Sequence, residues 1–279
     1  MGAVVGNRLS ISRAWDETRE IFQRDGGLLV SVALALIVLP SIIVTIVAPA
    51  GTSAATSPSG MVQLLRLIDG LIGFVGQLAI IRLTLGPATT VGAAIGHGAR
   101  RFPSALGSVL LLVLGFALIM VPVLLVVALL LGVNVAHLHP KPTGPETLLI
   151  LILIATIIAV SVRFTLMSPV ASAEEIGPVT IIRRSWDLTK GHYWRMFGVL
   201  ALLLVTALFL FATAGVIGGL FARLLSPQIE PFSVGALILA IVAGAAQGVF
   251  SLLASMMLAR IYAQVAGRDA EASVPISGT

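Results

Sequence analysis

Six long stretches of apolar residues are separated by short polar segments along this chain. A helix needs about 20 mostly apolar residues to cross the roughly 30 Å hydrocarbon core of a bilayer. The stretches cover residues 28–50, 67–85, 104–131, 147–169, 196–221 and 234–259. We therefore predict an all-α integral membrane fold with six transmembrane helices.

The composition supports this interpretation. Only 10% of the 279 residues are charged, 58% are hydrophobic, and the mean hydropathy is +1.08. Soluble domains carry about 25% charged residues. The composition excludes a soluble globular domain and a disordered chain, and the absence of cysteine excludes a disulfide-rich module.

The basic residues indicate an orientation. Fourteen of the 17 Lys and Arg residues lie in the two terminal tails, in the segments after the second and fourth stretches, or at adjoining helix ends. Because basic residues are retained on the cytoplasmic side, we predict that both termini are cytoplasmic, in a bacterial inner membrane. The net charge of +5 then predicts contact with anionic lipid headgroups and no nucleic-acid partner.

Two amphipathic segments repeat at an offset of 171 residues. Residues 11–27 precede the first stretch, residues 182–198 precede the fifth, and seven of their seventeen aligned positions are identical. The identities include Trp15 with Trp186 and Asp16 with Asp187. Their apolar residues follow the helical period, so each segment is expected to lie flat in the cytoplasmic interface with its Trp at headgroup depth.

A weaker copy of this segment, from Val91 to Phe102 and ended by Pro103, precedes the third stretch. The chain is therefore interpreted as one six-span domain, 1–279, built from three parallel units. The units are 8–86, 87–170 and 178–266, each an interfacial amphipathic helix followed by a transmembrane hairpin, and 267–279 is a flexible cytoplasmic tail.

The run RRSWDLTKGHYWRMFG at 183–198 resembles the signature before the fifth span of the membrane-domain family named after glycerophosphoryl diester phosphodiesterases. This resemblance implies a six-span scaffold shared with uncharacterised bacterial inner-membrane proteins. In some relatives the membrane part is fused to a soluble phosphodiesterase barrel, which needs about 250 further residues. No phosphodiesterase activity is therefore expected for this chain.

Asp69 is the only acidic residue inside a predicted span, and Arg82 follows it by 13 residues, or about 20 Å. Charges at membrane depth are costly and often functional, which would make Asp69 a proton or ion coupling site. The alternative is a purely structural role, which the sequence favours. In it Asp69 pairs with Arg66 one turn away, and the Arg82 side chain extends to the cytoplasmic surface.

Several further residues are candidates for lipid contact. Arg82, Arg163 and Arg260 close the even-numbered spans and would surround a lipid phosphate, or else serve only as cytoplasmic anchors. Arg184 and Asp187 are spaced to pair along one helix, as are Arg13 and Asp16. The candidate interface residues are thus Arg163, Arg260, Arg184, Trp186, Asp187 and Trp15.

No arrangement of residues predicts catalysis, a cofactor or a metal. His137 and His139 lie two residues apart, but no third ligand is near them in the sequence apart from Glu146. Gly244 and Gly248 predict close helix packing, and Pro40 and Pro122 predict kinks.

These features favour a non-catalytic inner-membrane protein, acting as a scaffold or lipid-contacting partner in lipid or envelope homeostasis. It would bind a protein partner or form a homo-oligomer. The alternative is a small transporter or lipid-handling protein with a cavity between the hairpins. A scaffold predicts a closed bundle, whereas a transporter predicts a polar cavity reached by Asp69, Gln77 or Gln247.

Overall fold

A computed structural model describes residues 10–49, 60–86, 90–133, 144–226 and 230–267, and the regular structure of these residues is entirely helical. The helices are α1 (Ile11–Ala33), a π-helical turn (Leu34–Val38), α2 (Leu39–Val47), α3 (Gly60–Leu85), α4 (Val91–Leu130), α5 (Gly144–Phe164), α6 (Met167–Ala173), α7 (Pro178–Thr189), α8 (Tyr193–Leu225) and α9 (Val234–Ala266). The predicted tail beyond Gly267 and the pair His137 and His139 lie outside the described residues.

Six helical segments in the described part of the chain are long and apolar enough to cross a membrane. They are Ile11–Val47, Gly60–Leu85, Val91–Leu130, Gly144–Ala173, Tyr193–Leu225 and Val234–Val265. Each covers all or most of one of the six predicted spans, so the prediction of an all-α fold with six helices long and apolar enough to span a membrane is confirmed. The helices extend beyond the apolar stretches because polar residues continue the same backbone hydrogen bonding.

The first amphipathic segment is not a separate helix. Ser10 caps the start of α1 by accepting a hydrogen bond from the Arg13 amide, and helical structure continues without a break to Val47. The prediction of a distinct interfacial helix at 11–27 is therefore wrong in this respect. Gly26 and Gly27 do not end the helix, because glycine inside a helix weakens it without ending it.

The second amphipathic segment also continues directly into its span. α4 runs for 40 residues from Val91 and includes both Pro103 and Pro122. Pro103 was expected to end the segment, and this expectation is wrong, since a membrane helix tolerates a proline where neighbouring groups satisfy the freed carbonyl. The hydroxyl of Ser104 bonds the Arg101 carbonyl at 3.0 Å, next to the proline.

Only the third amphipathic segment forms a helix of its own. Pro178 stands in the first turn of α7, where its missing N–H costs nothing. After Thr189 the chain turns through Gly191, whose φ of 79° lies in the left-handed region that glycine adopts without strain. α8 then starts at Tyr193 as a separate helix.

Pro40 is accommodated by a π-helical turn. Pro40 cannot donate a backbone hydrogen bond, and its ring crowds the carbonyl four residues earlier. The turn Leu34–Val38 inserts one extra residue directly before it, and the Ser41 hydroxyl donates to the Val38 carbonyl at 2.9 Å. The irregularity predicted at Pro40 is therefore a π turn, a feature often found at functional sites.

α9 occupies the centre of the bundle and packs against α1, α2, α3, α6 and α8. The C-terminal half of α9 is almost entirely buried, including Met257, Ile261 and Tyr262. Small residues allow the close approach to the first helix: a methyl group built on Gly244 would lie 2.8 Å from Ile42 Cγ1, and one on Gly248 would lie 2.5 Å from Val38 Cγ2.

The outer helices present large apolar side chains to the surroundings. Leu118 and Leu129 on α4 are 74% and 79% exposed, and Phe209 on α8 is 75% exposed. A soluble protein seldom exposes such a continuous apolar surface, whereas contact with lipid tails requires it.

Gly98 of α4 provides a test of the packing between α3 and α4. A methyl group on Gly98 would lie 2.7 Å from the Val75 carbonyl oxygen, which is backbone and cannot move aside cheaply. We expect Gly98→Ala to reduce the free energy of unfolding in detergent by about 1–3 kcal/mol. Gly96→Ala, two residues away with open space around it, is the control and should be neutral or stabilising by up to about 1 kcal/mol. Equal stability of the two variants would contradict this packing.

Candidate functional site

A cavity of about 610 Å³ lies between the first spanning helix, α3 and α9, with one contact from α8. Its polar lining residues are Ser41, Thr45, Asp69, Gln77, Gln247 and Ser251. The transporter interpretation predicts such a cavity and names Asp69, Gln77 and Gln247, and all three side chains line it.

The helical period brings the polar residues of α3 to one face. Asp69, Gly73 and Gln77 follow one another at four-residue intervals, so they lie one above another along the cavity wall. Asp69 is nine residues from the start of α3, or about 14 Å along the helix. Gln77 lies about 12 Å further along, so the cavity extends through the middle of the span.

The other two walls show the same spacing. Ile37, Ser41 and Thr45 contribute one face of the first spanning helix, and Gln247 and Ser251 contribute one face of α9. The Thr45 hydroxyl donates to the Ser41 carbonyl at 2.7 Å, as hydroxyls in membrane helices commonly do. Its oxygen lone pairs remain as acceptors toward the cavity.

Two glycines of α3 create space in the wall. A methyl group built on Gly70 or Gly73 would meet no atom within 4 Å, because both positions border the cavity. Gly76, one turn further, has a different role: a methyl group there would lie 2.9 Å from Leu36 Cβ. The glycine spacing of α3 therefore combines an open cavity wall with a tight helix contact.

Asp69 has no counter-ion among the described residues. The expected pair with Arg66 is not among the salt bridges of this part of the chain, and Arg82 does not reach the carboxylate either. The side chain of Asp69 is partly buried and belongs to a helix that is long and apolar enough to cross a membrane. An anionic carboxylate in such a place favours a cation, a proton or hydrogen-bond donors beside it.

A second group of polar side chains joins the ends of the helices where the basic residues are concentrated. We call Glu17, Glu174, Arg163, Arg260 and Tyr262 the basic-end cluster. Arg260 Nη2 lies 2.7 Å from Glu17 Oε2, with 18% of each side chain exposed. The link joins α1 to α9 across 243 positions of the sequence.

Glu174, just after α6, connects two more elements. The Tyr262 hydroxyl donates to Glu174 Oε1 at 2.6 Å, and Arg184 Nε donates to the same oxygen at 3.2 Å. Nearby, Arg101 forms a salt bridge with Glu175. Arg184 thus binds Glu174, while the expected partner Asp187 binds Lys190 at 3.0 Å.

Arg163 lies against two aromatic rings. Its guanidinium carbon is 4.8 Å from the centre of the Trp186 ring and 5.2 Å from that of Tyr193, both within cation–π range. Its carbonyl accepts hydrogen bonds from Ser185 and Thr189 of α7. One guanidinium nitrogen, Nη1, is buried without a hydrogen-bond partner in the described part of the chain.

The three arginines that were grouped from the sequence have different partners in the structure. Arg260 is bound to Glu17, Arg163 is held by aromatic rings, and Arg82 takes part in neither contact. Trp15 and Trp186 are 48% and 41% exposed on their helices, as surface anchors require. A phosphate site formed by the three arginines stays a prediction.

Sequence reasoning missed several of the residues that make these sites. Ser41 and Thr45 follow the helical period inside an apolar run, which is a readable signal for a polar helix face. Glu17 and Glu174 carried no such signal, since their partners lie 243 and 88 positions away.

Helices of this length and apolarity define a multi-pass α-helical membrane protein, here with a polar cavity inside its bundle. The chain belongs to the family defined by a domain of unknown function, DUF7847, which matches residues 9–265. No curated protein and no solved structure is significantly similar to it. The family description names no activity, and it leaves the resemblance to the phosphodiesterase membrane domain as a prediction.

The Glu17–Arg260 pair should couple α1 to α9 energetically. Because both side chains are mostly buried, we expect Glu17→Gln and Arg260→Gln each to lower the free energy of unfolding by about 1–3 kcal/mol. The double variant should lose clearly less than the sum of the single losses. Asp187→Asn, in the exposed pair with Lys190, is the control and should cost less than about 1 kcal/mol. Strict additivity of the two single losses would contradict the coupling.

Proposed function

We propose that this protein binds a small cationic solute, most simply an organic amine, in its polar cavity and moves it across the membrane. The observation that carries the proposal is the cavity of about 610 Å³ with Asp69 in its wall. This is the transporter alternative of the sequence analysis, and the cavity favours it over a closed scaffold.

The charge of Asp69 supports a cationic solute. A carboxylate at membrane depth is expensive without a compensating partner, and the described residues supply none. A bound ammonium group supplies that partner when the solute enters. Binding therefore recovers an electrostatic cost that is already present in the fold.

The remaining polar groups suit an amine with further donors or acceptors. Gln77 and Gln247 each offer an amide oxygen and an NH₂ group, and the hydroxyls of Thr45 and Ser251 accept hydrogen bonds. Phe74 and Phe250 add ring faces, which attract cations. Asp69 is the one carboxylate in the described lining, so the site has the character of a binding site and not of a catalytic one.

A role in lipid contact at the basic end is a second proposal. Arg183 and Trp186 are exposed on α7, as an interfacial helix facing anionic headgroups requires. Such a surface also serves a protein partner or a second copy of this chain, as the scaffold interpretation holds. It is compatible with solute movement through the cavity.

We further propose an inner-membrane location with both termini cytoplasmic. An even number of crossings returns the chain to the side where it began. The links Glu17–Arg260 and Tyr262–Glu174 support a common side for the first and last helices, together with several basic residues. Basic residues at one end of a bundle favour the cytoplasmic side.

The three-unit plan is likewise a proposal, supported by equivalent positions at the 171-residue offset. Thr18 and Thr189 are both buried, and each hydroxyl donates to the carbonyl four residues earlier, at 2.7 and 3.0 Å. Trp15 and Trp186 are both exposed. The two segments therefore share burial and local hydrogen bonding, although only one of them is a separate helix.

Because the chain contains no cysteine, a single introduced thiol reports its own side of the membrane. We expect a membrane-impermeant maleimide to label Gly51→Cys in intact cells. Arg183→Cys, on exposed α7, should be labelled only after the cells are made permeable. The reverse pattern would contradict the proposed orientation.

The amine proposal is tested by direct binding to the purified protein in detergent. The probes are choline, putrescine and spermidine, with 3,3-dimethylbutan-1-ol as the uncharged counterpart of choline. We expect at least one amine to bind, and Asp69→Asn to weaken its binding about tenfold or more, since it removes the only charge in the described lining. The uncharged probe should not bind.

Two variants serve as controls for the amine experiment. Asp25→Asn removes an acid that pairs with Arg24 outside the cavity and should leave binding unchanged. Asp69→Glu keeps the charge and should retain most of the affinity. If no amine binds, or if Asp69→Asn binds as well as the wild type, the proposal fails.

A further inference from the structure

An apolar groove of about 650 Å³ runs along the outside of the bundle between the first spanning helix and α9. Val30, Leu34 and Val38 line one side, and Ala245 and Leu252 line the other. We call it the α1–α9 groove. It is separate from the polar cavity, although both use the π-helical turn as a wall.

The floor of the groove is a direct contact between the two helices. Gly248 of α9 approaches Val38 so closely that an added methyl group would lie 2.5 Å from Val38 Cγ2. The two helices therefore touch beneath the groove, and the exposed small residue Ala245 leaves room above the contact. An occupant lies along the helices and does not pass between them.

One end of the groove carries a positive charge. Arg19 lines this end together with Trp15 and Phe22, whose side chains are 48% and 46% exposed. Arg19 forms no salt bridge within the part of the chain that the structure describes. Its guanidinium thus remains available for an anion, and it matches the geometry of a phosphate.

The apolar part of the groove is long enough for an acyl chain of one lipid leaflet. Its lining begins at Phe22, three residues after Arg19, and continues to Ile42, 20 residues or about 30 Å further along the helix. On α9 the lining runs from Met256 to Ile241, 15 residues or about 22 Å. Half of a hydrocarbon core of roughly 30 Å is about 15 Å. Arg19 lies in the amphipathic part of α1, where a headgroup would be.

We propose that the α1–α9 groove binds one anionic glycerophospholipid, with the phosphate at Arg19 and an acyl chain extending from Phe22 toward Ala245. An apolar channel that accommodates an acyl chain, with a single unpaired arginine at its polar end, is complementary to an anionic amphiphile. The lipid is the occupant that fits this lining best, because the groove is apolar except for one basic group at one end.

The experiment uses the full-length protein, stripped of lipid in detergent and titrated with defined lipids. Binding is measured by native mass spectrometry, and the rise in thermal unfolding temperature is measured in parallel. The probes are dioleoyl phosphatidylglycerol, dioleoyl phosphatidylcholine and inorganic phosphate. We expect one phosphatidylglycerol to bind about tenfold more tightly than phosphatidylcholine.

Two substitutions separate the headgroup from the chain. Arg19→Gln should weaken phosphatidylglycerol binding about tenfold and abolish the preference over phosphatidylcholine. Ala245→Phe places a ring in the groove and should weaken both lipids about tenfold. Arg223→Gln, an exposed arginine in the last turn of α8 outside the groove, is the matched control and should change nothing.

Several results would overturn the proposal. Equal binding of the two phospholipids, or phosphatidylglycerol binding unchanged by Arg19→Gln, would reduce the groove to ordinary lipid contact. Competition by inorganic phosphate together with no effect of Ala245→Phe would indicate an anion site without an acyl chain. A lipid-free dimer that Ala245→Phe dissociates would identify a second copy as the occupant. Because Ala245 and Arg19 are both exposed, unchanged thermal unfolding of the lipid-free variants confirms that they are folded.

Discussion

The close approach of α9 to the first spanning helix determines where space remains inside this bundle. Gly244 and Gly248 let the side chains of Ile42 and Val38 pack directly against the backbone of α9. In hydrocarbon every backbone polar group must be satisfied within the helices, which leaves few ways to shape an interior. One is the π-helical turn before Pro40, which changes the direction of side chains while keeping the segment helical. The polar cavity and the apolar groove both lie beside this turn.

The cavity follows from small residues at the level where polar ones are grouped. Gly70 and Gly73 of α3 leave an open wall beside Asp69. The C-terminal part of α3 is instead packed by residues such as Leu78 and Ile81, which are fully buried. The bundle is therefore tightly packed where α3 ends and more open nearer the start of α3. The basic-end cluster belongs to the tightly packed end, since its hydrogen bonds and salt bridges join α1, α9 and the segment after α6. These contacts hold the helices together at one end of the bundle, and the polar cavity lies nearer the other end.

Hydropathy was sufficient to predict six spanning helices, because each span needs an apolar run of about 20 residues whatever its neighbours are. It was not sufficient to say where a helix breaks. Residues 11–27 and 91–102 are also amphipathic, yet only α7 ends before its span. Gly191 after α7 supplies a left-handed residue that the other two segments lack. The cavity could be anticipated from Asp69, Gln77 and Gln247, since polar residues are costly among apolar ones. The pairing of Glu17 with Arg260 could not, because periodicity carries no information on contacts 243 positions apart.

The π-helical turn connects the two proposed binding sites mechanically. Ile37 lines the polar cavity and Val38 lines the apolar groove, and the two are neighbours in one turn. Successive side chains on a helix point about 100° apart, so one backbone segment presents a face to each site. A packed protein interior resists compression, so a displacement of one residue moves the neighbouring helical segment as a whole. A lipid chain that fixes Val38 therefore also fixes Ile37 and the position of Ser41 beyond it. The polar cavity and the α1–α9 groove share a wall, and the shape of one constrains the shape of the other.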